Sequence, residues 1–123
     1  RVKGEWIFSW VLDGMAVQDV FIVPSRAERL IDIQPDAAYG TTIRLFNTER
    51  QVWEIFYGCP EECARLEARK EGDEIILTEI TSKAMKWIFS DITDNSFTWR
   101  SIAKSPAGNW ITLARVYATR KKK

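Results

Sequence analysis

The sequence contains no histidine. Without an imidazole it can form neither a Ser/His/Asp triad nor a Cys/His pair, and it offers no imidazole to zinc and no proximal histidine to haem. The two cysteines, Cys59 and Cys63, are separated by three residues and lack the further Cys or His ligands that a structural zinc site needs. We therefore expect no metal and no cofactor.

Long apolar runs are also missing. No segment approaches the roughly 20 residues of a membrane-spanning helix and none resembles a signal peptide, so we expect no membrane span. Four of the 18 basic residues form the run Arg120–Lys123, which leaves 14 against 17 acidic residues elsewhere. This balance predicts no nucleic-acid partner. Reduced thiols at Cys59 and Cys63, with a tight disulfide as the alternative, fit a cytoplasmic protein.

The sequence does contain apolar residues that alternate with a period of two, the pattern of β-strands. From residue 6 to residue 12, three aromatic side chains share one face, and Asp13-Gly14 follows directly. An Asp-Gly pair between two such runs is typical of a type I′ hairpin turn. The register that follows pairs Trp10 with Val17, Phe8 with Asp19, and Trp6 with Phe21.

Short links rich in turn residues divide the chain into nine predicted strands. The first covers residues 6–12, and the second ends at Pro24. The others are Thr41–Asn47, Gln51–Gly58, Cys63–Arg69, Glu74–Ile80, Ala84–Ser90, Ser96–Ala103 and Trp110–Thr119. One long connection lies near residues 25–40, where Ser25 is placed to cap a helical turn.

These short links favour a barrel over a Greek-key sandwich, which needs longer crossovers. We predict an all-β fold, an antiparallel up-and-down meander closed into a barrel of about nine or ten strands. The barrel forms one domain over residues 1–119, and residues 120–123 form a basic tail.

Gly4-Glu5-Trp6, a G-x-W, opens the first predicted strand, and Arg115 and Arg120 lie on or just after the last. This resembles the calycin pattern, in which a basic side chain of the final strand packs across that tryptophan. Further segments at residues 6–14, 18–21, 24–26, 39–44, 72–75 and 97–100 resemble a family of uncharacterised lipocalin-like bacterial proteins. The resemblance spans nearly the whole chain and implies a calycin-type barrel in a bacterial, cytoplasmic protein whose family has no settled activity.

Aromatic side chains are numerous, with six Trp, six Phe and three Tyr. By strand phase many fall on one face, where they either form the wall of a ligand cavity or fill a packed barrel. Asp19 falls on this face, and Arg44, in phase with Phe46, is its candidate partner. The pair would either orient a ligand or fix the strand register. The predicted ligand-binding residues are Phe8, Trp10, Asp19, Arg44, Trp53, Tyr57, Trp87 and Trp99.

Three functions remain open. The first is binding of a small hydrophobic or amphipathic molecule in the barrel lumen. The second is a histidine-free enzyme, an isomerase, cyclase or dehydratase in which Asp19 acts as general acid or base. An ion pair with Arg44 would oppose that role. The third is a structural or assembly module with a packed interior.

An outward apolar patch is predicted on the opposite face, at Ile7, Val11, Val20 and Ile22. A patch of this size is usually covered. The cover would be the segment 25–40, residues that precede Arg1, or a second copy in a two-fold contact. We expect a homodimer.

Overall fold

The computed structural model describes residues 3–27, 38–81 and 84–121, which form nine β-strands and one 3-10 turn. The strands are β1 Glu5–Val11, β2 Ala16–Val23, β3 Ala38–Asn47, β4 Val52–Gly58, β5 Cys63–Glu71, β6 Glu74–Glu79, β7 Met85–Ser90, β8 Ser96–Lys104 and β9 Trp110–Thr119. Each lies close to a predicted strand, because the Gly, Pro, Asp and Asn residues between the apolar runs end the strands. These ranges hold no helix with the length and apolarity to cross a membrane.

The strand pairings recorded for the described residues are antiparallel and join strands that are consecutive in the chain. The strand order follows the chain order, as it does in the up-and-down barrels of lipocalins. The prediction of an all-β, antiparallel, up-and-down fold is confirmed. The chain forms two compact units, Arg1–Ala64 (unit 1) and Arg65–Lys123 (unit 2).

The β1–β2 hairpin has the predicted turn and register. Asp13 (φ 56°, ψ 35°) and Gly14 (φ 87°) take the left-handed conformations of a type I′ turn, and the Met15 N–H donates to the Leu12 carbonyl at 3.1 Å. Leu12 also has a positive φ, 53°. The sequence did not predict this, because a leucine at the end of an alternating apolar run is expected to be extended. The Cα pairs are Trp10 with Val17, Phe8 with Asp19, and Trp6 with Phe21.

The registers of β1 to β4 divide unit 1 into two faces. We call one of them the aromatic face; it carries Trp6, Phe8, Trp10, Val17, Asp19, Phe21, Gly40, Thr42, Arg44, Phe46, Trp53, Ile55 and Tyr57. Buried side chains occur on both faces. They include Asp19, Thr42 and Ile55 on the aromatic face and Ala16, Ile22 and Val52 on the opposite face.

The four apolar side chains predicted on the opposite face do share it, and none of them is fully exposed. Ile22 is buried, and Ile7, Val11 and Val20 are half-buried. The predicted face is confirmed, and the cover expected over such a patch is largely supplied within one chain, but alternation along a strand does not identify the residues that supply it. The homodimer expected from the sequence loses the observation on which it rested.

The chain that leads into β1 lies against the end of β2. A Cβ atom at Gly4 would be 2.5 Å from the Ile22 carbonyl oxygen, which explains the glycine of the G-x-W. Arg26 binds Glu5 through its backbone N–H at 2.9 Å, through Nε at 3.0 Å and through Nη2 at 2.9 Å. These contacts hold the start of the long connection. The helical turn predicted after Ser25 extends outside the described residues.

Unit 2 is a series of hairpins from β5 to β9. Its buried apolar side chains are Leu66, Ala68, Leu77 and Ile88. Gly72, with φ 62°, is the first of two residues between the paired Glu71 and Glu74, where a type II′ turn takes glycine. After β9, Arg120 donates from Nε to the Asp94 carbonyl at 3.1 Å. The resemblance names this arginine as one of two that could pack across Trp6.

Candidate functional site

Asp19 and Arg44 form an ion pair on the aromatic face. Arg44 Nη1 donates to Asp19 Oδ2 at 2.5 Å, and the side chains are 2% exposed for Asp19 and 15% for Arg44. Asp19 lies opposite Thr42 in the β2–β3 register, so Arg44 reaches it diagonally across the two strands. The predicted pairing is confirmed, and so is the phase that places Arg44 with Phe46.

Aromatic rings border this ion pair. The Arg44 guanidinium carbon lies 5.6 Å from the centroid of the Phe8 ring, within the range of a cation–π contact. Phe8 stacks on Trp6 with centroids 5.5 Å apart, and Trp6 meets Phe21 edge-on at 4.9 Å. Asp19 is therefore shielded from solvent while Arg44 keeps partial contact with it, and the attraction between them exceeds that of a fully solvated pair.

Part of the aromatic face remains accessible to solvent. The exposed fractions are 44% for Phe8, 73% for Trp10, 40% for Phe46 and 37% for Trp53. Phe46 and Trp53 are in contact, with ring centroids 5.2 Å apart. Phe8 and Trp10, with Ser9 and Val17, line an open depression of about 180 Å³. The face thus offers exposed aromatic surface beside a fixed polar group.

Tyr57 lies on the aromatic face at β4, with its ring against Gly40. A Cβ atom at Gly40 would be 2.8 Å from Tyr57 Cε1. Burial raises the pKa of Tyr57 above its ordinary value, and a hydrogen bond with Cys59 and the nearby Cys59, Glu62 and Glu61 act in the same direction. The phenol therefore stays protonated at neutral pH and presents a hydroxyl group.

Both cysteines are free thiols, so the prediction of reduced Cys59 and Cys63 is confirmed. In the connection between them, the Cys59 N–H donates to the Glu62 carbonyl at 2.9 Å, and Cys59 Sγ donates to Glu61 Oε2 at 3.3 Å. Within residues 3–27, 38–81 and 84–121, no group of three or more His, Cys, Asp or Glu side chains is arranged to hold a metal ion.

Trp87 and Trp99 meet within unit 2, on strands β7 and β8. Their ring centroids are 6.0 Å apart, and Phe89 packs on Phe97 beside them at 5.3 Å. All four rings are half-buried. Of the predicted ligand-binding residues, Trp87 and Trp99 come together in unit 2. The others share the aromatic face of unit 1: Phe8, Trp10, Asp19, Arg44, Trp53 and Tyr57.

Phe46 is a further candidate that the sequence analysis did not include among the binding residues. It lies opposite Trp53 in the β3–β4 register and contacts that ring. The signal for it was present, because Phe46 follows Arg44 by two residues and a strand returns to the same face at that spacing.

Comparisons with known proteins give no assignment. No protein-family model matches the chain, and a search of the curated proteins finds no match.

Proposed function

We propose that the aromatic face of unit 1 binds a small hydrophobic or amphipathic molecule. The observation that carries the proposal is the position of accessible rings, Trp10 and Phe46 among them, beside the Asp19–Arg44 pair. Sites for small molecules combine apolar and aromatic walls with a few fixed polar groups. Covering exposed rings with an apolar ligand is favourable at about 25 cal/mol per Å² of apolar surface removed from water.

Arg44 supplies the fixed polar group. Asp19 holds its guanidinium by an ion pair, and the Phe8 ring lies against it. Ordering a flexible arginine side chain on binding would cost conformational entropy and lower the affinity. Because the Arg44 guanidinium is already positioned, a ligand that binds it avoids most of this cost. The rings provide affinity, and Arg44 provides orientation.

We also propose that the chain is similar in fold to the lipocalin-like, calycin-type bacterial proteins that its sequence resembles. The up-and-down strand order and the close packing of Gly4 on β2 support this. In a calycin-type barrel the aromatic face would line the lumen. The free thiols support a cytoplasmic location. The homodimer stays a prediction without its original support.

The other two functions have less support. An acid–base enzyme would need an available carboxyl group, whereas Asp19 is 2% exposed and its Oδ2 accepts from Arg44. An assembly module with a packed interior would bury its inward rings, whereas Trp10 is 73% exposed.

The test is a titration with the neutral fluorescent probe 1-aminoanthracene, whose emission rises in apolar surroundings. Phe46→Ala and Phe56→Ala form a matched pair. The two side chains are 40% and 39% exposed on adjacent strands, but they lie on opposite faces of the sheet. We expect saturable binding to the wild type, an affinity loss of about five- to tenfold in Phe46→Ala, and a change below about twofold in Phe56→Ala.

Two results would contradict the proposal. One is a probe signal that does not saturate. The other is an equal loss of affinity in both variants, which would show that the probe does not distinguish the aromatic face from its opposite.

A further inference from the structure

We infer that the ligand is uncharged and carries a hydrogen-bond acceptor, and that Asp19 sets this selectivity by cancelling the charge of Arg44. The inference rests on the proposed function and deepens it, because it names the chemical class that the same site takes.

The two charges of the pair form a dipole, and its positive member, Arg44, is the more exposed of the two side chains. The Asp19 side chain is 2% exposed and the Arg44 side chain is 15% exposed, with 2.5 Å between Nη1 and Oδ2. At this separation the two fields largely cancel beyond the pair itself. A ligand therefore meets the positive end of a neutral pair, not an isolated cation.

The described strand residues of this face contribute no other full charge. In β1 to β4, as far as these strands are described, the aromatic face holds no further Asp, Glu, Lys or Arg. Its remaining titratable group is Tyr57, and burial raises the pKa of that phenol, so it stays neutral at pH 7.

A carboxylate ligand is disfavoured by this arrangement. It would lose hydration against the rings of Phe8 and Trp10 without gaining a net opposite charge. A carbonyl or amide oxygen loses much less hydration, and its partial negative charge suits the positive end of the pair. Flat aromatic molecules also stack well on exposed rings.

Naphthalene-2-carboxamide and naphthalene-2-carboxylate provide a direct comparison, because they share the ring system and nearly the same shape but differ in charge. Each is titrated against the wild type with bound 1-aminoanthracene. We expect the carboxamide to displace the probe at a concentration at least about tenfold lower than the carboxylate.

Asp19→Asn keeps the shape of the side chain and removes its negative charge, so the Asp19–Arg44 pair becomes net positive. We expect this variant to bind the carboxylate more tightly than the carboxamide. Asp19→Glu keeps the negative charge and is the matched control, in which the preference of the wild type should persist. Circular dichroism establishes that each variant is folded before it is titrated. If Asp19→Asn does not fold, Arg44→Gln is titrated instead. This variant loses the positive charge and keeps the negative charge of Asp19, so its affinity for naphthalene-2-carboxylate should be lower than that of the wild type.

Each outcome decides the inference. Equal affinities in the wild type, or a preference for the carboxylate, would overturn it while leaving the proposed function intact. A folded Asp19→Asn variant that still prefers the carboxamide would also overturn the inference, and so would a folded Arg44→Gln variant with unchanged affinity for the carboxylate. Bound probe that neither compound displaces would overturn it as well, and each of these results leaves the proposed function intact. If neither the probe nor either compound binds, the proposed function fails and the inference fails with it.

Discussion

At the scale of single residues, Asp19 is a buried charge whose effect on stability depends on its ion pair with Arg44. A carboxylate that is 2% exposed depends on its partner, and removing one member of a buried pair leaves an uncompensated charge. The partial exposure of Arg44 reduces this cost, because solvent screens the guanidinium.

We predict that Asp19 and Arg44 are energetically coupled. Asp19→Asn and Arg44→Gln should each lower the free energy of unfolding by about 1–3 kcal/mol, and the double variant should lose less than the sum, with a coupling of about 1–2 kcal/mol. Urea denaturation of the wild type and the three variants measures it. Strictly additive losses would mean that the pair contributes nothing as a pair.

Gly4→Ala should destabilise the protein by about 1–3 kcal/mol, because its Cβ atom would lie 2.5 Å from the Ile22 carbonyl oxygen and 2.6 Å from Val23 Cγ2. Gly58→Ala is the control, since nothing lies within 4 Å of a Cβ atom at that position. Urea denaturation compares the two variants. Equal effects would remove the close approach of Gly4 to β2 as the cause.

Because the pKa of Tyr57 is raised in the folded protein, we predict that the protein loses stability in alkaline solution. As the pH rises past the ordinary tyrosine pKa of 10.0, the unfolded chain releases the phenolic proton while the folded chain retains it, since the folded pKa is raised. The unfolded state then binds fewer protons, and the free energy of unfolding falls with rising pH.

Tyr57→Phe tests this effect. Unfolding midpoints in urea, measured from neutral to alkaline pH, should fall less steeply in the variant above about pH 10, where an ordinary tyrosine ionises. Identical slopes for the two proteins would contradict the raised pKa of Tyr57.

At the scale of elements, the β1–β2 hairpin carries a local strain. Leu12 has φ 53° and is 58% exposed, so it adopts a left-handed conformation that leucine disfavours, and gains little burial in return. The neighbouring turn residues Asp13 and Gly14 tolerate the same region far better.

We predict that Leu12→Asn raises the free energy of unfolding by about 0.5–1 kcal/mol, because asparagine visits the left-handed region at lower cost. Met15→Asn is the control: Met15 is 70% exposed, but its φ is −84°. Thermal and urea unfolding compare the two. A gain in Met15→Asn as large as that in Leu12→Asn would show that polarity, not backbone conformation, is responsible.

The register of the β1–β2 hairpin could be predicted from the sequence, but the burial of its side chains could not. Asp13-Gly14 sets the β1–β2 register by turn geometry alone, so the pairing of Phe8 with Asp19 could be predicted without any tertiary information. The burial of Ile22 and the exposure of Trp10 could not, because they depend on neighbours brought from elsewhere in the chain. The positive φ of Leu12 carried no sequence signal either.

At the scale of the whole molecule, strand phase grouped the candidate residues correctly within each unit. Asp19 and Arg44 were identified because a charged residue on an aromatic face needs a partner, and the phase of β3 offered one. Whether these rings bind a ligand does not follow from phase, since a packed core and a binding wall have the same alternation. Exposure of Trp10 and Phe46 is what favours binding.

The central claim, that the aromatic face binds a neutral small molecule, is tested most directly by native mass spectrometry of the protein equilibrated with naphthalene-2-carboxamide. We predict one carboxamide per chain in the wild type, and a largely unliganded Trp10→Ala variant under the same conditions. The same spectra report whether the chain is monomeric or dimeric. A wild-type spectrum without the carboxamide, or equal occupancy in wild type and Trp10→Ala, would contradict the account.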